Sequence, residues 1–318
     1  MTDTGASTTP AEPRFVLPRI ALGCGSFGGI GSAPEFFGQG LNDQQAAELM
    51  DAAWEAEITH FDTADGYGGG RSETAIGRWI AARGVRPTLT SKTFHPLVAG
   101  GDRGLDPERV GRSLGASLER LGVERLELYL AHEPDPEVPL DVAMTGFEAQ
   151  RAAGRIDAYG VSNVNPEELE LALRGGRPTV VQNGYSLLQR ADGAMLLDLC
   201  LERGVAYTAY SPLCGGWLTG KYRRGSAYPA GSRMTQRPEP YAALAGERTF
   251  AGLDELAEFA LARGLSMAGT AIAWLLADPR VRQVVLGPGR PEHLAPAAEA
   301  LANPLSPADR DALTGAFK

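Results

Sequence analysis

The residues that could do chemistry begin in Ile58-Thr59-His60-Phe61-Asp62-Thr63-Ala64-Asp65-Gly66-Tyr67-Gly68. A short β-type run delivers Asp62 to its carboxyl end. A glycine-rich turn then carries Tyr67 out of the strand line. If that turn folds back over the strand end, phenol and carboxylate share one pocket. Such a pocket still needs a cation and a polar electrophile, and the next two strand-like runs supply both. Thr88-Leu89-Thr90-Ser91 ends in Lys92, and Leu126-Glu127-Leu128-Tyr129-Leu130-Ala131 ends in His132. A phenol with a pKa near about 10 is a poor acid at neutral pH. A lysine beside it stabilises the phenolate and lowers that pKa. Asp62 would hold Lys92 charged and oriented, and His132 would donate to an oxygen.

Each residue also has an ordinary explanation. A tyrosine in a glycine-rich turn is commonly a surface anchor, Lys92 with Asp62 a structural ion pair, and His132 before Pro134 a loop histidine. What sets these four apart is their joint arrival at three successive strand ends. His60 and His95 are decoys. His60 and Asp62 share a strand face, which a metal could use, but no third ligand at metal spacing is evident and Lys92 would repel a cation. No metal site is expected.

The elements that must position these residues follow one another regularly. Strand-like starts near 19, 58, 88, 125, 156, 180, 205 and 281 alternate with helical segments. Asn42 or Asp43 starts the first outer helix, and Ser72 to Ala82 forms the second, Trp79 on its apolar side. Asp106-Pro107 is an N-cap and N1 signature, followed by Val110, Leu114, Leu118 and Leu121 at helical spacing. Asn165-Pro166-Glu167-Glu168 has the form of a capping box. Helix is expected from Ala251 to Ala277, bent near Gly264, and from Pro291 to Leu301 as the last barrel helix. Phe15-Val16-Leu17 would form a small hairpin under the barrel, and Met1 to Pro13 a disordered tail. Eight βα units argue for a closed parallel barrel, an α/β fold of the (β/α)8 TIM type, as a single domain from 14 to 318. Function then belongs at the strand carboxyl ends.

Gly23-Cys24-Gly25-Ser26-Phe27-Gly28 matches G-x-G-x-x-G and raises an open-sheet dinucleotide fold as an alternative. The context fails, because the glycines do not open a helix directly. The acidic residue expected about 20 positions on would be Asp62, far too late.

Composition sets the outer bounds. The chain has 318 residues, 43% apolar and 22% charged, with a net charge of −9. That charge argues against nucleic acid or an anionic membrane as the main partner. No apolar run approaches the ~18 residues needed to span a bilayer, and the N-terminus lacks a secretory pattern. Cys24, Cys200 and Cys214 are an odd number without C-x-x-C spacing, as in a reduced cytoplasmic protein.

The four-residue pattern resembles the aldo-keto reductase superfamily. So do Gly160-Val161-Ser162-Asn163, Gln182-Asn183, Ala209-Tyr210-Ser211-Pro212-Leu213 and Leu218-Thr219-Gly220-Lys221-Tyr222, in that order, and the likeness covers roughly residues 15 to 305. It implies reduction of an aldehyde or ketone by a nicotinamide cofactor, with Tyr67 as proton donor tuned by Lys92 and Asp62, and His132 orienting the carbonyl. NADPH is the implied cofactor, with NADH the alternative.

The resemblance also distributes the cofactor contacts. Ser162, Asn163 and Gln182 would hold the carboxamide, and Tyr210 would stack on the nicotinamide. Ser211, Pro212, Leu213, Cys214 and Gly215, with Lys221, would meet the pyrophosphate. Arg233 would clamp the cofactor within a long loop at about 211–248. Gly287, Gly289, Arg290 and His293 would bind the adenosine end, Arg290 at a helix start suiting a phosphate and Glu292 turned to solvent. His293 stands where relatives often carry Gln or Arg. Ser91-Lys92-Thr93-Phe94-His95-Pro96 and His132-Glu133-Pro134-Asp135-Pro136 look nearest the aflatoxin-aldehyde and succinic-semialdehyde reductase branch. The chain stops soon after the last helix, which leaves Phe94, the 133–139 loop and the region around Trp217 to wall the substrate pocket. Two other readings stay open: a sugar or alcohol dehydrogenase working in the oxidising direction, and a cofactor-binding auxiliary subunit with little turnover. The expected partner is a small carbonyl substrate, and a homo-oligomer stays open.

Overall fold

The computed structural model describes residues 16–190 and 193–317. Eight parallel strands close into a barrel: β1 (Ile20–Gly23), β2 (His60–Asp62), β3 (Thr88–Thr93), β4 (Leu126–Ala131), β5 (Ile156–Ser162), β6 (Val180–Gly184), β7 (Ala206–Tyr210) and β8 (Val281–Leu286), which pairs back onto β1. Helices α1 (Asp43–Glu55), α2 (Arg71–Arg83), α3 (Pro107–Leu121), α4 (Leu140–Ala152), α5 (Pro166–Gly175) and α6 (Gly193–Arg203) fill the crossovers between successive strands up to β7. The strands are buried on both faces, as parallel strands under helices must be. Phe61, Leu89, Tyr129, Tyr159 and Val181 belong to the larger core that includes the helices' apolar residues, whereas Leu128, Leu130, Ala158 and Val180 form a separate small cluster with Leu17.

Local chemistry starts the helices where the sequence says it should. The Asp106 carboxylate accepts from the amides of Glu108 and Arg109 at 3.0 and 3.2 Å, and Asn165 and Glu168 close a capping box. Alternation along the strands then stacks polar residues in two tiers. On β2, His60 and Asp62 share a face; on β3, Thr90 and Lys92 do. In the lower tier His60 Nε2 meets Thr90 Oγ1 at 2.8 Å and His60 Nδ1 meets Gln283 at 2.9 Å. The upper tier holds Asp62, Lys92 and Gln182.

Between β7 and β8 the chain departs from the simple pattern. The 211–246 segment carries two short 3-10 turns (Cys214–Thr219 and Ala242–Leu244) and one helical turn, α7 (Arg233–Gln236). The helix anticipated from 251 to 277 is two helices, α8 (Glu247–Ala262) and α9 (Met267–Leu276), at 91° to each other. Gly264, at φ 67°, takes the left-handed conformation at this corner. The last barrel helix is a 3-10 turn (Pro291–Leu294) leading into α10 (Ala295–Ala302). A further helix, α11 (Pro307–Ala316), follows. It was missed, although Ser306 before Pro307, with Asp309 behind, is a readable start signal; the Ser306 hydroxyl accepts from the Asp309 amide at 3.1 Å. Arg190 donates to carbonyls at the end of α11, and Trp274 Nε1 to Thr314 Oγ1 at 2.9 Å.

The hairpin expected at Phe15 to Leu17 is absent in its described part, since Val16 and Leu17 belong to no strand. Phe15 and the tail from Met1 to Pro13 lie outside the described residues. The Gly23–Gly28 stretch opens turns and not a helix, which removes the dinucleotide alternative. Among the described residues no single helix is long and apolar enough to cross a membrane.

Candidate active site

The four chemical residues converge at the carboxyl end of the barrel. Asp62 closes β2, Lys92 lies one residue from the end of β3, and His132 follows β4 directly. The Lys92 ammonium donates to Asp62 Oδ1 at 2.5 Å and to the Thr63 carbonyl at 2.9 Å. It also lies 5.1 Å from the centroid of the Tyr67 ring. That ring stands edge-on to His132, centroids 5.3 Å apart. Asp62, Lys92 and His132 are buried, while Tyr67 keeps part of its surface open.

Glycine brings Tyr67 back over the strand ends. Gly68, Gly69 and Gly70 take φ values of 58°, 66° and 86°, the left-handed region that other residues avoid. A Cβ on Gly68 would sit 2.7 Å from the Phe27 carbonyl, and one on Gly69 2.7 Å from the Leu97 carbonyl. The loops after β1, β2 and β3 are thereby in backbone contact around the phenol.

The electrostatics correct one expectation. Burial pushes the Tyr67 phenol above its ordinary pKa, by more than Lys92 pulls it down. Burial opposes the Lys92 charge as well, but Asp62 and then Tyr67 outweigh it and hold the ammonium above its usual value. His132 is held well below the ordinary histidine range by burial, then by Lys92 and His95. It is therefore neutral at pH 7. Its Nδ1 is buried without a hydrogen-bond partner. An unpaired acceptor costs less than an unpaired N–H there, which puts the proton on Nε2.

A second ring of residues backs the first. Gln182 Nε2 donates to Asp62 Oδ2 at 2.7 Å. Ser162 Oγ donates to the Gln182 carbonyl at 2.6 Å. Asn163, in the left-handed region at φ 59°, donates to the His132 carbonyl at 2.9 Å and accepts from the Tyr210 hydroxyl at 2.6 Å. His95, dismissed as a decoy from the sequence, lies at this site with its ring 4.7 Å from that of His132. Its place three residues beyond Lys92 was the available signal. His60 has both ring nitrogens engaged one tier below. Among the described residues no three His, Cys, Asp or Glu side chains gather as metal ligands.

Beyond β7, Ser211 and Cys214 take φ values of 56° and 48° around Pro212 and Leu213, followed by Gly215 and Gly216 at 64° and 93°. Such a run of left-handed residues is strain held in place by its surroundings. A Cβ on Gly215 would fall 2.7 Å from the Tyr241 ring, and one on Gly216 2.4 Å from Lys221 Nζ. Tyr241 is a neighbour of this loop that the sequence reading missed. The Lys221 ammonium is lowered by burial and then by Arg233 and Arg290, so three cations face one another here. Among the described residues neither Lys221 nor Arg233 has a carboxylate partner. Arg290 pairs at 3.3 Å with Glu292, whose side chain is nonetheless largely exposed to solvent, as expected. His293 Nδ1 accepts from the Gly289 amide at 3.3 Å, and Gly287 leads into this turn. A polyanion such as a dinucleotide pyrophosphate fits this unbalanced charge.

The two residues chosen for the substrate wall sit deeper than expected. Phe94 is buried with its ring edge-on to His95 at 5.2 Å. Trp217 has no exposed surface. It packs on Tyr222, Tyr228 and Phe250 at 5.0, 6.3 and 5.7 Å, inside the loop's own aromatic core. It therefore lines no open pocket.

A phenol, a lysine, a carboxylate and a histidine thus meet at the carboxyl end of a (β/α)8 barrel, and the fold belongs to a class of nicotinamide-dependent oxidoreductases. The chain belongs to the aldo/keto reductase family, whose model matches residues 19–317. It is 32% identical over 309 residues to the L-glyceraldehyde 3-phosphate reductase of Escherichia coli (strain K12), covering 90% of this chain and 85% of that one. It is 30% identical over 314 residues to a putative voltage-gated potassium channel subunit beta of Schizosaccharomyces pombe, covering 91% and 89%. Among solved structures, the glycerol dehydrogenase AKR11B4 from Gluconobacter oxydans matches 95% of this chain and 91% of its own at 26% identity, with a TM-score of 0.82.

Proposed function

We propose that the protein reduces an aldehyde or ketone to an alcohol with NADPH, in the cytoplasm. The observation that carries this is the Lys92 ammonium held between Asp62 at 2.5 Å and the Tyr67 ring, with neutral His132 edge-on to the same ring. Bound in this site, a reduced nicotinamide would supply the hydride for the carbonyl carbon. The chain supplies the rest. Tyr67, protonated at neutral pH, gives its proton to the carbonyl oxygen. Lys92 stabilises the phenolate left behind, and Asp62 keeps Lys92 charged and aimed. His132 points Nε2–H at the same oxygen and orients it without adding charge.

Ser162, Asn163, Gln182 and Tyr210 would hold the nicotinamide, the loop from Ser211 to Gly215 with Lys221 and Arg233 the pyrophosphate, and Gly287, Gly289, Arg290 and His293 the adenosine end. NADPH is preferred to NADH because the cations outnumber the carboxylates at that end. The 211–248 segment acts as the clamp. Free, buried Cys24, Cys200 and Cys214 suit a reducing compartment. The name of the Gluconobacter oxydans enzyme keeps the oxidising direction in view.

The test is a panel of carbonyls followed by loss of NADPH absorbance, with the matching alcohols and NADP⁺ as the reverse assay. Cofactor binding without turnover of any member would move the protein to the auxiliary-subunit reading.

A further inference from the structure

The first turn of α2 points two polar side chains inward, where a barrel helix ordinarily buries apolar ones. Ser72 and Glu73 have no exposed surface. Both oxygens of Glu73 are engaged. Oε1 accepts from Ser91 Oγ at 2.5 Å, and Oε2 accepts from Arg120 Nε of α3 at 2.7 Å. Ser72 Oγ donates to the Cys24 carbonyl at 3.0 Å. Its single proton is used there, so at the 2.8 Å contact with Thr63 Oγ1 the threonine is the donor.

Through Ser91 and Thr63 these bonds reach Lys92. Ser91 precedes Lys92 on β3, and alternation turns its side chain out of the barrel towards α2. The Thr63 carbonyl accepts from the Lys92 ammonium at 2.9 Å. The same helical turn also ends the loop that carries Tyr67. Arg71 Nη1 donates to the Gly68 carbonyl at 2.7 Å, and Thr74 Oγ1 to the Gly70 carbonyl at 3.0 Å. Between Tyr67 and Arg71 stand three glycines in left-handed conformations, with no side chain to brace them. The front of that turn leans on the first loop, where the Gly68 amide donates to the Gly31 carbonyl at 3.0 Å. Its back is fixed by α2.

Energetics favour positioning over stabilisation as the task of Glu73. Desolvation of a buried ion pair such as Glu73 with Arg120 offsets most of its attraction, and well-packed apolar residues in its place are often neutral or better for stability. Glu73 also stands near a second buried carboxyl, Asp65, which burial and then Glu73 raise to about 7. Arg109, the other cation of this layer, is committed to Thr93, the Gly104 carbonyl and Asp102. What an apolar pair could not do is accept from Ser91 and hold β3 at a fixed height against the helix.

We propose that Ser72 and Glu73 are positioning residues for the reaction, the first turn of α2 acting as a bracket that sets the distance between the Lys92 ammonium and the Tyr67 ring. Neither touches the reacting atoms. This role rests on the carbonyl-reductase reading of the site.

The experiment removes one arm of the bracket at a time with Ser91→Ala and Ser72→Ala. The control is Tyr159→Phe, which removes a hydroxyl bonded at 2.6 Å to Glu148, between β5 and α4. All three should lose some stability in urea. In the two serine variants kcat for carbonyl reduction should fall by about ten- to a hundredfold, with KM and NADPH affinity by fluorescence quenching nearly unchanged. Lys92 stabilises the phenolate less as it draws away, so the alkaline limb of the pH–rate profile should move to higher pH. Crystal structures of the variants should place Lys92 Nζ further from the Tyr67 ring centroid than 5.1 Å. Tyr159→Phe should keep the wild-type rate and profile. Should one serine variant fail to fold, the other decides. Wild-type rate and profile in a folded serine variant, or an equal loss in Tyr159→Phe, would overturn the proposal and leave the reductase reading intact. No turnover of any carbonyl by the wild type would overturn the reductase reading, whereas an unchanged separation in the variant crystals would overturn the bracket.

Discussion

Gln182 and Asp62, 120 positions apart in sequence, meet across the barrel through a hydrogen bond of 2.7 Å from Nε2 to Oδ2. Asp62 thus divides its two oxygens between Lys92 and Gln182. Removing the amide with Gln182→Met leaves a buried carboxylate oxygen without a donor. The cost should be about 1–3 kcal/mol of folding stability, read by urea denaturation. Because Asp62 orients Lys92, the pH–rate profile should move too. A variant with wild-type stability and an unmoved profile would show that the contact does neither job.

Tyr67→Phe keeps the ring against His132 and removes only the hydroxyl. Turnover should fall by about 10²–10⁴-fold, with cofactor affinity nearly unchanged by fluorescence quenching. Retention of most activity would exclude Tyr67 as the proton donor.

At the adenosine end, Glu292 competes with a phosphate for Arg290. Both side chains are largely exposed, so the pair itself is worth little. Arg290→Ala should weaken NADPH by about 1–3 kcal/mol, the scale of a charged hydrogen bond, and leave NADH alone. Glu292→Gln should act oppositely and tighten NADPH. Titrations in which both cofactors shift equally would move the phosphate contact to Arg233 or Lys221.

Stability against pH should expose two opposed groups. Asp65 is buried behind the site, facing Glu73, Thr93, Tyr129, Arg109 and Arg120. Burial and then Glu73 raise its carboxyl to about 7, more than Thr93 and the arginines lower it. The folded state holds this proton more tightly than the unfolded chain. Its contribution is complete below about pH 4 and is lost as pH rises through about 7. His60 runs the other way. Burial lowers it to about 4, so its contribution is complete above about pH 6.5 and is lost as pH falls towards 4. Asp65→Asn should therefore make stability climb more steeply between about pH 5 and 7 than in the wild type, by up to about 1.4 kcal/mol per pH unit. Identical slopes would mean that Asp65 is already ionised in the folded protein.

The barrel and the meeting of Asp62, Tyr67, Lys92 and His132 were readable because both follow from local order. Strand, turn and helix signals recur, and each chemical residue lies at a strand's carboxyl end or on the loop that follows. What the sequence could not carry depended on closure in space. The Gln182 to Asp62 bond exists only once β6 faces β2 across the barrel. The rise of the Tyr67 pKa depends on how much water the folded loops remove, which spacing does not measure. Trp217 looked like a pocket wall by its position in the loop, yet Tyr222, Tyr228 and Phe250 draw it inward. Glu292 turns onto Arg290 because the 3-10 turn at Pro291 brings the two side chains together. The helix from Pro307 had an ordinary start signal and could have been found.

The contacts of Gly68 and Gly69 with the Phe27 and Leu97 carbonyls stitch three neighbouring loops at the backbone, with no side chain between them. A modular view of this barrel, in which each loop is exchanged separately to change what the enzyme accepts, therefore fails on that side. Those three loops form one inheritable unit and must be grafted as a block.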